Sequence, residues 1–164
     1  NTVNVSDSAT DVVGDTTPQL GGDLDVNGNS IVSTSNGDIN LTPNGTGRIV
    51  LGNASVTATE TATISTSKTL DFDSNQNFIL TLGSGANTLS NPTTEASNVG
   101  QTGAMIFIQP SSGSAGTVSL GTDYETVGGS GLTLSSTNSA YDVVPYMIKA
   151  DNSILLGTPQ LAFS

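Results

Sequence analysis

The feature that most narrows what this chain can fold into is a recurring turn signal. Asn-Gly pairs stand at Asn27-Gly28, Asn36-Gly37 and Asn44-Gly45, and Gly52-Asn53 follows. Both residue types tolerate positive φ, which tight hairpin turns demand. A turn every eight or nine residues leaves only three to five residues for each strand. Between the turns, Asp23-Leu24-Asp25-Val26 and Asp38-Ile39-Asn40-Leu41 alternate polar with apolar, and Ser30-Ile31-Val32 and Arg48-Ile49-Val50-Leu51 add short apolar segments. Alternation places the apolar side chains on one face of a strand. The first third of the chain is therefore read as short, one-sided β-strands.

Such strands need an interior, and this segment carries little material for one. From Leu20 to Val56 there are 12 apolar side chains, none of them aromatic. Repeating units that cannot bury their apolar face alone require neighbours. Three copies wound about one axis would supply them, with Leu24, Val26, Ile31, Ile39, Leu41, Ile49 and Leu51 pointing inward as the trimer core. The expectation is a trimeric β stalk over residues 19–60, preceded by an attachment or linker segment over 1–18.

All seven aromatic residues (Phe72, Phe78, Phe107, Tyr124, Tyr141, Tyr146 and Phe163) lie beyond residue 71. This shift places an architectural seam in the Thr/Ser-rich stretch Thr57–Lys68. Beyond it, Thr69–Asp73, Asn77–Leu82, Gly103–Gln109, Thr117–Leu120, Leu132–Leu134, Tyr141–Ile148, Ser153–Leu156 and Gln160–Phe163 read as strands. The nearly continuous apolar run Gly103–Gln109 marks a central strand, and Pro145 belongs at a bulge, an edge or a strand start. No segment has a helical period. The predicted class is all-β, with a jelly-roll-like β-sandwich over residues 65–164.

Composition limits function. Fourteen acids against three bases (Arg48, Lys68 and Lys149) give a net charge of −11. No basic stripe exists to neutralise phosphates, so no nucleic-acid partner is expected. Anionic membrane surfaces are unfavourable for the same reason, and no apolar run reaches spanning length. Histidine and cysteine are both absent, which removes the commonest general base, the commonest metal ligand and any disulfide.

The stretch Thr17-Pro18-Gln19-Leu20-Gly21-Gly22-Asp23-Leu24-Asp25-Val26-Asn27-Gly28-Asn29, with Asn36-Gly37-Asp38-Ile39 and Pro43-Asn44-Gly45-Thr46-Gly47, resembles the stalk repeats of tail fibres from marine tailed bacteriophages. Asn77–Leu82, Gly100-Gln101-Thr102-Gly103 and Ala140-Tyr141-Asp142-Val143-Val144 are similar to domains near the C-termini of such virion proteins. The resemblance implies a homotrimer on the surface of a viral particle, with a slender N-terminal part joined to other virion proteins and a C-terminal knob. It implies host attachment through a surface glycan or protein. A capsid decoration or head fibre with a structural role is the alternative, and a polysaccharide-degrading tailspike is a third reading.

Local motifs add little chemistry. Asp23-x-Asp25-x-Asn27-Gly28 imitates the opening of a calcium loop, but Thr34 stands where a bidentate Glu is needed. Asp71-x-Asp73-x-Asn75 fails further, with Gln76 at the Gly position and Leu82 at the Glu position. Gly128-Gly129-Ser130-Gly131 and Gly83-Ser84-Gly85 lack the following helix and Lys of a phosphate cradle. Glycoside cleavage needs two carboxylates facing across a cleft, and Glu60, Glu95 and Glu125 lie in three separate contexts. No catalytic residue, metal or cofactor is expected. The receptor-contact candidates are Asp123, Tyr124 and Glu125, beside the Gly128-Gly129 turn.

Overall fold

The computed structural model describes residues 21–94 and 96–164. The expected attachment segment 1–18, the Thr17–Leu20 opening of the stalk-like motif and Glu95 lie outside the described residues. The chain divides into two units, with the break between Gly52 and Asn53.

In the first unit the hairpin turns form. Asn29 N–H donates to Val26 O (2.9 Å) across Asn27 and Gly28, whose φ angles are 48° and 78°. Gly37 N–H donates to Thr34 O (3.1 Å) across Ser35 and Asn36, at φ 55° and 58°. Gly47 N–H donates to Asn44 O (3.0 Å), with Gly45 at φ 59°. In the first two turns both central residues have positive φ, the type I′ pattern that suits hairpins, whereas in the third only Gly45 does. The second and third turns are centred one residue away from where the Asn-Gly pairs suggested. Yet no strand is present from residue 21 to residue 58, so the expected short strands do not form within a single chain. A strand exists only where a neighbour takes its backbone groups, and the turns alone bring none into register.

The second unit is all-β. It contains β1 (Thr59–Ile64), β2 (Ser67–Thr69), β3 (Asn77–Leu82), β4 (Gly85–Ser90), β5 (Thr102–Ile108), β6 (Gly116–Leu120), β7 (Tyr124–Thr126), β8 (Tyr141–Ala150), β9 (Ser153–Leu156) and β10 (Gln160–Phe163). The larger sheet has the order β1-β3-β5-β8-β9-β7, with β10 also on β8; the smaller has the order β2-β4-β6. From β1 to β6 the chain passes from one sheet to the other at every strand, making three stacked windings. Within each sheet the stacked strands are parallel. Only β8 reverses direction, running antiparallel to β5, β9 and β10. This differs from the expected jelly roll, whose strands pair antiparallel: five of the eight strand pairs here are parallel. The reason lies in the short corners. Ser65-Thr66 and Gly83-Ser84 turn the chain into the opposite sheet rather than back along the same one.

The stretch Thr57–Lys68, read as a seam, holds β1 and most of β2. Its threonines alternate outward while Glu60, Ala62 and Ile64 face in, and β-branched Thr favours strands even where apolar content is low. β4, equally small and polar, was also missed, and Leu132–Leu134 is not a strand. Asn77–Leu82 and Ser153–Leu156 form strands with the bounds expected of them.

The core lies between the sheets. Phe78, Leu80 and Leu82 of β3 and Met105 and Phe107 of β5 meet Leu89 of β4 and Val118 of β6. Phe72 packs edge-on against Phe78 (4.9 Å between ring centres) and Tyr146 (5.2 Å). The Tyr146 hydroxyl donates to Gln76 O (2.6 Å), over a backbone so close that a Cβ at Gly103 would stand 2.0 Å from that same oxygen. The first winding closes this core with charge. Glu60 stands in register with Phe78, and Lys68 with Leu89, and the two side chains form an ion pair across the sheets. The lysine stem covers apolar surface while its head meets the carboxylate.

Polar side chains hold the corners. Asn87, fully buried, donates to Gly83 O (2.9 Å), Gly85 O (3.0 Å) and Thr117 O (3.2 Å) and accepts from Gly83 N–H (3.0 Å). Gln109 closes the next corner by accepting from Gly116 N–H (2.8 Å) and donating to Gly116 O (3.1 Å). Pro145 lies opposite Ala104 in β8, at the gap between the β9 and β10 pairings, where only Gly157 N–H reaches its carbonyl (2.8 Å). The missing N–H of proline breaks no ladder there.

Asp142, also fully buried, accepts from Ser135 N–H (2.7 Å), Ser135 Oγ (2.9 Å) and Ala162 N–H (2.8 Å), so it fixes both the β7–β8 loop and β10. Asp142→Asn would turn one of these acceptors into a donor facing N–H groups. A loss of about 2–3 kcal/mol in urea unfolding is expected, whereas Asp151→Asn on the exposed β8–β9 turn should leave the midpoint unchanged.

Candidate functional site

The receptor-contact candidates occupy β7 and its approach, beside the loop that leads to β8. Alternation along β7 separates them. Tyr124 faces the core and is only 7% exposed, while Glu125 faces outward and is exposed. Asp123 is half-buried: its backbone N–H donates to Asn91 Oδ1 (3.2 Å) and its carbonyl accepts from Ile154 N–H (2.8 Å). The structure thus brings Asp123 and Glu125 to the surface and turns the tyrosine between them inward. The aromatic residue expected to be the contact is instead part of the packing.

Glu125 is not a free carboxylate. Lys149 Nζ donates to both of its oxygens (2.7 and 2.9 Å), and Ser153 Oγ donates to one. These partners hold its carboxyl below the usual range, Lys149 contributing most. The pair joins strands that are distant in sequence, because β7 runs parallel to β9 and β9 antiparallel to β8. No local motif announces Lys149 or Ser153, so sequence reasoning missed them.

The loop itself is built on glycine. Gly128, Gly129 and Gly131 have φ of 70°, 68° and 77°, a conformation that side-chain-bearing residues rarely adopt. Thr126 Oγ1 accepts from Gly131 N–H (2.9 Å), and Ser130 Oγ donates to Val127 O (3.3 Å), which ties the loop to the end of β7. Three grooves meet around it. One of 470 Å³ runs from Glu125 and Val127 over Pro145, Met147 and Leu155. A second of 340 Å³ lies between Val127, Leu132, Pro159 and Leu161. The third, 560 Å³, is lined by Thr122, Tyr124, Glu125, Thr126, Gly129 and Gly131. Thr126 borders all three. The first groove is chiefly apolar, whereas threonines, Ser130 and glycine backbone border the second and third, a lining suited to holding a neutral polar surface.

The two calcium-loop imitations are local turns. Asp25 Oδ1 accepts from Asn27 N–H (2.8 Å), and Asp71 Oδ1 accepts from Asp73 and Ser74 N–H (3.1 Å each). The Ser74 side chain foremost, then the backbone N–H of Ser74 and of Asp73, hold the Asp71 carboxyl below its ordinary value. Glu60 is bound to Lys68 on the opposite sheet and Glu125 to Lys149 on the outer face, so these two carboxylates do not share a cleft. Among the described residues no helix is long and apolar enough to cross a membrane.

The Tyr124 hydroxyl is buried with no hydrogen-bond partner, and burial, with a smaller contribution from Asp123, pushes its ionisation well above the usual 10.0. Burial raises Tyr146 as well. Folding disfavours the ionised form of both phenols. Their contribution is complete below pH 10 and is lost as pH rises from there towards the folded-state values. Tyr124→Phe removes an unsatisfied hydroxyl, so we expect it to raise stability by about 1 kcal/mol at pH 7 and to lessen the alkaline loss, both read by urea unfolding. A destabilised variant would show that the hydroxyl is satisfied. No family model matches this chain, and no curated protein or solved structure matches it either.

Proposed function

We propose that this chain is a trimeric fibre module displayed on the surface of a virus particle, with its N-terminal part joined to other virion proteins and the β7–β8 loop region of its second unit available to a host surface glycan or protein. The observation that carries the trimer is the state of the first unit. Leu24, Ile31, Ile39, Leu41, Ile49 and Leu51 are between 49% and 67% exposed, and Val26 is half-buried. Hairpin-type turns are closed beside them, yet no ladder lies behind those turns among the described residues. Turn geometry and apolar side chains both call for strand partners, and sister copies provide them at no cost in sequence. The stalk resemblance supports the same reading.

Attachment rather than catalysis fits the second unit. A rigid two-sheet frame presents a loop set by glycines and bounded by grooves rich in hydroxyl groups, and recognition is commonly placed on loops held by such frames. The chain's charge supports display as well. A net charge of −11 on a chain with few charged residues discourages non-specific association with other acidic surfaces.

Light scattering coupled to size exclusion should give a mass three times 16.5 kDa. Ile39→Asp with Leu41→Asp should lower it while the β signal of the second unit persists in circular dichroism. A wild-type mass of one chain would falsify the trimer. Purified protein should also compete with intact particles for adsorption to host cells, and competition should weaken when Thr126 and Ser130 are replaced by Lys.

A further inference from the structure

The larger sheet has two faces, and only one of them is covered by the smaller sheet. Phe78, Met105, Phe107, Val144 and Ile154 point into the core, so the residues alternating with them point the other way. That outer face is also apolar. Ile79 lies beside Ile106, and Ile106 beside Val143, in consecutive registers across β3, β5 and β8. Met147 of β8 lies beside Leu155 of β9, the two being 45% and 38% exposed. Ile108 adjoins this row on β5, opposite Tyr141, which is itself 42% exposed. Strands with apolar residues on both faces are characteristic of sheets covered on both sides.

We propose that this outer face is a homotypic interface, turned towards the axis of the trimer and packed there against the same face of its sister copies. Charge argues for that occupant. On a chain of net charge −11, the outward positions of the strands from β3 across to β7 hold one acid, Glu125, and it is paired with Lys149 of β8. Between two strongly acidic copies, a face that is apolar and whose single acid is already paired can pack without added repulsion. An acid and a base set next to each other are also self-complementary, since the Glu125 of one copy could pair with the Lys149 of another if the axis passes beside them. A basic partner would find no uncompensated acid here.

Size is compatible. Five strands about 4.8 Å apart, with about six residues rising ~3.3 Å each, give a plan area of roughly 500 Å², and β10 extends its rim towards the ~800 Å² per partner of a standard interface. The outward threonines of β1 (Thr59, Thr61 and Thr63) form a polar margin around an apolar centre, the usual anatomy of such contacts. This inference goes beyond the fibre reading, which stands on the first unit.

The test uses the full chain. Met147→Lys with Leu155→Lys places charge at two already exposed positions, so folding is not at issue; Ser119→Lys on the outer face of the smaller sheet is the control. The double variant should weaken self-association at least about tenfold in concentration-dependent light scattering, and the control should not. The chain has no cysteine, so Met147→Cys should crosslink two chains with a short bis-maleimide while Ser119→Cys does not. Wild-type mass and melting in the double variant, together with no crosslink at Met147, would overturn the inference. Dissociation by the Met147/Leu155 pair but not by Ile39→Asp with Leu41→Asp would uphold it and remove the stalk reading. The reverse pattern would remove the inference and leave the stalk.

Discussion

The second unit depends on satisfying backbone polar groups at the corners where the chain leaves one sheet for the other. Within a parallel stack the ladders satisfy themselves, but each corner strands several N–H and C=O groups against a dry core. This chain has few charged side chains to offer them and no histidine. Asn87 and Gln109 meet the need as neutral, two-ended groups, each donating and accepting at the same corner. With those bonds made, Phe78, Leu80, Phe107 and Leu89 pack beside them fully buried. Without them the parallel windings would have no reason to prefer this path over antiparallel hairpins.

Seen this way, the legibility of the fold divides by residue type. Asn77–Leu82 and Tyr141–Ile148 announced themselves because alternation or continuous apolar character survives in the sequence. β1 and β4 did not, because their inward positions hold Glu60, Ala62 and Asn87 in place of large apolar residues. Glu60 and Asn87 are inward for reasons of ion pairing and hydrogen bonding that only the stack reveals. The direction of pairing was hidden as well. A Gly-Ser corner looks the same whether it folds a strand back on its neighbour or hands it to the facing sheet, and no pattern of period two distinguishes them.

The candidate site was half legible. The glycines of the β7–β8 loop marked a conformation that needs positive φ, and the acidic pair flanking Tyr124 marked an exposed strand end. The inward turn of Tyr124 follows from alternation along β7, once that segment is known to be a strand. The engagement of Glu125 by Lys149 and Ser153 could not be read in advance, since it depends on β9 lying between their strands.

The Glu60–Lys68 pair has a consequence for how long such a stack can be. Each winding contributes one strand per sheet and rests on the one beneath it, so nothing in the middle of the pile fixes the number of layers. Only the ends are special: a charged lid on one side and the reversal at β8 on the other. An inserted segment bearing an inward apolar triplet, a corner amide and a short second strand could slide between β3 and β5 without disturbing either terminus. Length is thus a quantity that this architecture can vary by duplication, while the grooved tip and the lid stay as they are.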